Sequence, residues 1–309
     1  MPLRDIELQL PDRRAGKVRV SWALSHDRRI IVTTDRLSAF DRVVAVVPRK
    51  GQVLNQLSAW WFDNTRDIID NHFIAMPEPH SMIVTAATPL PVEVVVRGAL
   101  TGSTSTALLT QYLAGKRTMY GHKFADGLSP HSALPEPIIT PTTKAQDGGH
   151  DEPLTCQDVV DRRLVQADIW QQVCSAALAL YRRGCEVAAR AGLVLADTKY
   201  EFGIDNDGRV LLIDEVHTPD SSRFWVAASL GERLAQGREP ESLDKEPVRI
   251  ALSAAGYRGS GTPPELPVDV IAATSARYVD AYERITGNAF VPAADPTADE
   301  LLHALREVV

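Results

Sequence analysis

Asp197, Lys199 and Glu201 recur at every second position of the run LVLADTKYEFGID, which begins at Leu193. In an extended strand, alternate side chains share a face at roughly 6.8 Å per pair of residues. Two carboxylates and an ammonium therefore line one surface, while Tyr200 and Phe202 face a core. Asn206-Asp207-Gly208 is turn chemistry, and it returns Val210 to Ile213 as a buried strand that ends in Asp214-Glu215. Acids crowded on a half-buried sheet need positive charge. One lysine is present, and a hard cation such as Mg²⁺, which takes oxygen ligands and is usually shared with phosphates, is the simplest second partner. The following Pro219-Asp220-Ser221-Ser222-Arg223 offers hydroxyls and a guanidinium for an anion. The ordinary alternative is a solvated acidic hairpin, but acids interleaved with aromatic and branched apolar residues on both strands favour a site.

The elements that must hold this hairpin are partly readable. Gly16-Lys17-Val18-Arg19-Val20 is a turn between short strands (20–24 and 29–33) that places Lys17 and Arg19 on one face, able to lie over a polyphosphate. A strand over 43–47, an amphipathic helix over 53–62 with Trp60 and Trp61 in the core, and strands over 82–86 and 92–96 follow. The last ends in Arg97-Gly98, before Thr101-Gly102-Ser103. Pro89-Leu90-Pro91 marks a hinge between an N-terminal phosphate-loop lobe (1–90) and a larger C-terminal catalytic lobe (91–309). Residues 114–153, rich in Gly, Pro and His, read as long loops, of a length that is usually functional or disordered. They carry Thr140-Pro141-Thr142-Thr143-Lys144 and Gly149-His150-Asp151-Glu152, both dense in anion-binding groups. Thr155 with Asp158 starts a helix, and an apolar stripe from Ile169 to Val187 predicts a long helix over 168–190, stopped at Gly192. Further helices are expected over 246–255, 268–285 and 297–309.

A net charge of −7 argues against binding nucleic acid through phosphate contacts. Three cysteines without a CxxC pair read as reduced thiols. With no apolar signal core and no run near 18 apolar residues, the expectation is a cytoplasmic enzyme without a membrane partner. Several signatures are missing: there is no GxGxxG after a strand, Ala114-Gly115-Lys116-Arg117 lacks the Ser/Thr of a Walker A loop, and His150 next to two acids is not HExxH. No nucleophile elbow, HRD or DFG occurs.

Eight blocks nevertheless stand in a recognisable order: GKVR at Gly16, TDRLSAFD at Thr34, KGQVLNQLS at Lys50, VEVVVRGALTGS at Val92, EPIITPTTKA at Glu136, GGHDE at Gly148, LADTKYEFGID at Leu195 and DEVHTPDSSRFW at Asp214. With these the chain resembles the phosphoribosylaminoimidazole-succinocarboxamide synthase (SAICAR synthetase) family over roughly residues 15–287. The resemblance implies an α+β fold of antiparallel sheets with flanking helices, in two ATP-grasp-like or kinase-like lobes clasping ATP. It implies that ATP and Mg²⁺ phosphorylate the carboxylate of carboxyaminoimidazole ribotide and that the amine of L-aspartate displaces phosphate. By the same resemblance, Lys17 and Arg19 lie over the ATP phosphates, Lys144 helps close that site, and Glu201 and Asp214 hold the metal. Asp41, Arg97, Ser103, Asp197, Asp220 and Arg223 surround the ribotide, with Arg97 and Ser103 on its 5′-phosphate. Lys199 neutralises the transferring phosphoryl group, and Ser38 falls near the aspartate subsite.

The pattern departs from the family at Val20, Trp22, Ala99 and His217, around Leu243-Asp244-Lys245-Glu246-Pro247, and in a longer tail after Gly287. These departures leave room for two alternatives: a paralogous amide ligase using another amine or heterocyclic carboxylate, and a non-catalytic nucleotide-binding protein.

Overall fold

The computed structural model describes residues 2–104, 106–144 and 151–308. Its first sheet grows from alternation. In β2 (Arg19–Ala23), which follows the short β1 (Arg14–Ala15), Val20 and Trp22 turn inward and Arg19 and Ser21 outward. With β3 (Arg28–Thr33), β6 (Phe73–Glu78) and β7 (Ser81–Thr85) they make a five-stranded antiparallel sheet ordered β1-β2-β3-β7-β6. Between them come β4 (Arg36–Ala39) and β5 (Arg42–Val46), a separate hairpin. Its two connecting residues, Phe40 and Asp41, both take positive φ, as a tight twisted turn requires. Helix α1 (Lys50–Asp63) follows, with Trp61 and Phe62 fully buried.

The second sheet is built from β8 (Thr88–Pro89), β9 (Val92–Ala99), β12 (Ala133–Thr143), β13 (Leu193–Ile204), β14 (Val210–Ile213) and β15 (Ser222–Val226). Strand β13 is its hub. Residues 193–198 pair with β15 and 197–200 with β9, whereas 201–204 pair with β14 and 203–204 with β8. The neighbours thus change beside Lys199, and the sheet splits there. Helix α4 (Ala167–Arg190) lays Val173, Ala177 and Leu180 over this sheet against Val94, Val96, Tyr200 and Phe202. A capping box at Thr155 and Asp158 starts the short α3 (Cys156–Asp161) that leads into it. The remaining elements are α2 (Leu108–Leu113), β10 (Thr118–Met119), β11 (His122–Lys123), α5 (Ala227–Ala235), α6 (Glu246–Ala254), α7 (Val268–Thr286) and α8 (Ala298–Val308).

The 114–153 stretch is not the long loop expected. It contains β10, β11 and the eleven-residue β12, which pairs with β9 through Thr143. Pro135, Pro137 and Pro141 are tolerated because β12 is an edge strand with an irregular register between Ala133 and Ile138. Gly148, Gly149 and His150 lie outside the described residues. α2 and α5 are also unannounced, being too short for a periodic stripe.

The chain passes between the sheets near residue 87: Ala86 still donates to the Asp27 carbonyl, while Thr88 and Pro89 already pair with Ile204 and Gly203. The tail then crosses back. Leu301 and Leu305 of α8 complete the core of Leu3, Leu8, Val20, Trp22 and Ile30 under the first sheet. Val20 and Trp22 therefore belong to this core, Ala99 packs on Ala196 and Trp225, and His217 is enclosed against Trp61 and Tyr200. None of these four departures opens into a cleft. The three cysteines are free thiols, and no described helix is long and apolar enough to cross a membrane.

Candidate active site

Where β13 changes partners, two groups of charge meet. The first is acidic. Glu201 receives Lys144 and, at 2.7 Å, Lys199; Lys199 also donates to Glu93 of β9 at 2.9 Å. Asp214, at the end of β14, and Glu215 are gripped by Arg19 at 2.7 and 2.8 Å. Burial works against Glu201's charge, but the two lysines outweigh it and hold the carboxyl down to about 2. Asp214 goes the other way. Burial, with Glu201 and Glu215 nearby, pushes it up to about 6 despite Arg19. The acids Glu93, Glu201, Asp214 and Glu215 thus outnumber Arg19, Lys144 and Lys199, and Asp214 carries the strain. Its backbone adds to this, at φ 69.

The second group is cationic. Asp197 takes Arg97 at 3.1 Å and Arg223 at 2.6 Å on a single oxygen, and Arg97 is braced by Thr140 at 2.8 Å. Arg223 and Arg249 both reach Glu246, which also accepts from Ser103. Asp220 is held by the fully buried Lys50 at 2.9 Å and by the Tyr278 hydroxyl at 2.6 Å, with Lys245 at 3.9 Å. Burial lowers Lys245 to about 8 although Asp220 opposes it, and burial next to Glu246 raises Asp244 to about 7. Arg97, Arg223, Arg249, Lys245 and Lys50 outnumber Asp197, Asp220, Asp244 and Glu246 by one, so the group has spare positive charge for an anion. Gly102, at φ 104, permits the approach: a Cβ there would meet Ala107 at 2.7 Å and Arg223 at 3.2 Å.

A cavity of about 220 Å³ opens onto this group, lined by Arg97, Asp197, Lys199, Asp220, Arg223, Lys245 and Arg249 among others. A larger depression of about 920 Å³ between residues 66–70 and α4 gathers no such convergent chemistry. Lys199 is the side chain common to the cavity and the acidic group.

Of the residues singled out in the sequence, Asp197, Lys199, Glu201, Asp214, Arg19, Lys144, Arg97, Ser103, Asp220 and Arg223 fall in these two groups. Lys17 pairs with Asp41 at 2.6 Å, both about half exposed, and Ser38 sits half-buried on β4 opposite Val43. These three join none of the ion pairs above. Sequence reasoning missed Glu93, Lys50, Lys245, Glu246 and Arg249. Glu93 was findable, since Glu93 and Arg97 share the parity of one strand face; Lys50 was not, because its partner lies 170 positions away.

An α+β fold whose hub strand splits between an acid-rich and a cation-rich group suits an enzyme that handles phosphoryl groups beside a second anionic substrate. The family model "SAICAR synthetase" matches residues 12–264. A putative phosphoribosylaminoimidazole-succinocarboxamide synthase 2 of Agrobacterium fabrum is 49% identical over 284 residues, 92% of this chain and 90% of that protein. The SAICAR synthase of Saccharomyces cerevisiae, solved with SAICAR, superposes with a TM-score of 0.79 at 32% identity, covering 93% and 99% of the two chains. A type-2 SAICAR synthetase solved with ADP gives 0.70 at 27% identity, covering 91% and 100%. The chain belongs to the SAICAR synthetase family of ATP-dependent ligases.

Proposed function

We propose that the enzyme joins the carboxylate of carboxyaminoimidazole ribotide to the amine of L-aspartate through an acyl phosphate, with ATP as phosphoryl donor. The observation that carries this is Lys199, standing between the cation-rich cavity and the acid-rich end of β13 and β14. A carboxylate is a poor electrophile until one oxygen becomes a leaving group, and positioning with charge neutralisation does most of the work in such a transfer.

Arg97 and Ser103 take the ribotide 5′-phosphate, and Asp197 aims Arg97 and Arg223 from opposite sides. Asp220, fixed by Lys50 and Tyr278, bounds the same cavity. The acidic group receives ATP: Lys17 and Arg19 cover the phosphates, and Lys144 closes over them. Glu201 and Asp214 fit Mg²⁺, because their donors are all carboxylate oxygens and the elevated Asp214 signals uncompensated negative charge. Bound there, the ion would supply positive charge to offset that of the ATP phosphates. Lys199, an ammonium held charged by Glu201, Glu93 and Asp214 against the cost of burial, offsets charge on the phosphoryl group in transit. The aspartate amine then attacks the acyl carbon and phosphate departs. By the family's pattern Asp41 would serve the ribotide and Ser38 the aspartate, although the Lys17–Asp41 pair and Ser38 stand apart from the cavity lining. Residues 1–90 act as the phosphate lobe and 91–309 as the catalytic lobe, with α8 as a strap between them. The bacterial relative supports a cytoplasmic setting.

The test is ADP release by the purified chain with Mg·ATP, ribotide and aspartate, followed with mass detection of the amide. ADP formation and amide in equal amounts, both dependent on ribotide, support the proposal. Nucleotide turnover indifferent to ribotide refutes it.

A further inference from the structure

Away from the cleft, Asp35, His80 and Asp295 each direct one ligand atom into a common space, all within 4.8 Å of one another. His80 is fully buried, and among the described residues neither of its ring nitrogens makes a hydrogen bond. That is costly for an imidazole, whose unmet buried polar atoms forfeit their hydration. Nε2 faces Asp295 Oδ1 at 3.4 Å. This is long for a hydrogen bond, but it matches the edge of a tetrahedron with arms of about 2.1 Å, which is about 3.4 Å. Nδ1 faces Glu78 Oε2 at 3.6 Å, and the other Glu78 oxygen is buried without a hydrogen-bond partner among the described residues. A carboxylate behind the second ring nitrogen is the usual outer partner of a metal-bound histidine.

We propose that His80 Nε2, one carboxylate oxygen of Asp35 and Asp295 Oδ1 bind a divalent first-row metal ion, with water completing a tetrahedral shell. One imidazole and two carboxylates suit zinc better than magnesium, which prefers oxygen alone in octahedral array. The site is structural. Asp35 accepts the backbone N–H of Leu3 at 3.0 Å and of Gly51 at 2.8 Å, so it already ties the N-terminal segment to the start of α1. Asp295 precedes α8, and Gln52 of α1 exchanges two hydrogen bonds of 2.9 Å with the Ala293 backbone. A metal here clips the tail to α1 and the β6–β7 turn, holding α8 over the first sheet. It requires nothing of the nucleotide site.

The experiment uses the full chain, stripped with chelator and titrated with Zn²⁺ without nucleotide, by calorimetry and elemental analysis. One equivalent is expected, and Co²⁺ in its place should give the intense visible bands of a tetrahedral ion. Asp295→Asn, at a partly exposed position, should weaken binding more than about tenfold, as should His80→Gln if it folds. Asp214→Asn should leave zinc binding unchanged, which separates this site from the cleft. Chelation should also speed hydrogen exchange of amides over residues 288–297. Absence of a stoichiometric zinc ion overturns the proposal, as does wild-type affinity in Asp295→Asn or loss of binding in Asp214→Asn alone.

Discussion

Replacing Asp214 by Asn should stabilise the nucleotide-free protein while disabling it. In the folded chain the Asp214 carboxyl rises from 3.8 to about 6. At about 1.4 kcal/mol for each tenfold change in proton affinity, ionising it costs about 3 kcal/mol more folded than unfolded. A quarter of the side chain reaches solvent, so water shares the burden and the effective cost is on the order of 1–3 kcal/mol. The folded state binds this proton more tightly than the unfolded state does. The penalty is therefore absent below about pH 4, grows between about 4 and 6, and is full above 6. Asn removes the charge, tolerates the positive φ at this position well, and leaves Arg19 paired with Glu215 at 2.8 Å. Urea unfolding in chelator at pH 8 should show Asp214→Asn more stable than wild type by that amount, and the gap should close toward pH 4. Turnover should fall at least about a hundredfold, as for loss of one electrostatic stabiliser, and the thermal shift with Mg·ATP should shrink. A variant less stable than wild type at pH 8, by an amount independent of pH, would refute the account of Asp214 as a carboxylate waiting for a cation.

Arg97→Ala should raise the KM for ribotide with kcat less affected, losing about 2–5 kcal/mol of binding if the phosphate pair is desolvated; steady-state kinetics with ribotide varied decide this, and an unchanged KM removes Arg97 from the phosphate subsite. Glu246 occupies Arg223 and Arg249 with its own carboxylate, which those arginines hold down to about 2 although burial opposes it. Glu246→Gln should therefore tighten the binding of inorganic phosphate to the cavity by calorimetry while lowering stability by about 1–3 kcal/mol, and weaker phosphate binding would contradict the charge balance drawn above. Gly98→Ala places a Cβ 2.1 Å from the Tyr181 hydroxyl, which donates to the Leu195 carbonyl at 2.8 Å. Overpacking should cost about 1–3 kcal/mol, read as a lower melting temperature.

What could be read from the sequence was whatever one strand or helix decides alone. The alternation through Asp197, Lys199 and Glu201 fixed both a core face, with Tyr200 and Phe202 inside, and a charged face, and the stripe from Val173 to Val187 placed α4 before any partner was known. What could not be read needed distant partners. Lys50 answers Asp220, Arg19 answers Asp214, and β12 persists through three prolines only because it is an edge. The substitutions at Val20 and Trp22 teach the sharper lesson. Placing Lys17 and Arg19 on the cleft face already commits residues 20 and 22, of opposite parity, to the interior, so they could never have reshaped a substrate pocket. Parity sends Val20 and Trp22 inward, and packing encloses Ala99 and His217. The departure that touches the cavity's cations is Glu246, which lies behind the lining and pairs with Arg223 and Arg249, the arginines a substrate anion must share with it. Any difference in substrate handling between this chain and its relatives should therefore follow the charge at position 246 rather than the bulk at 20, 22, 99 or 217.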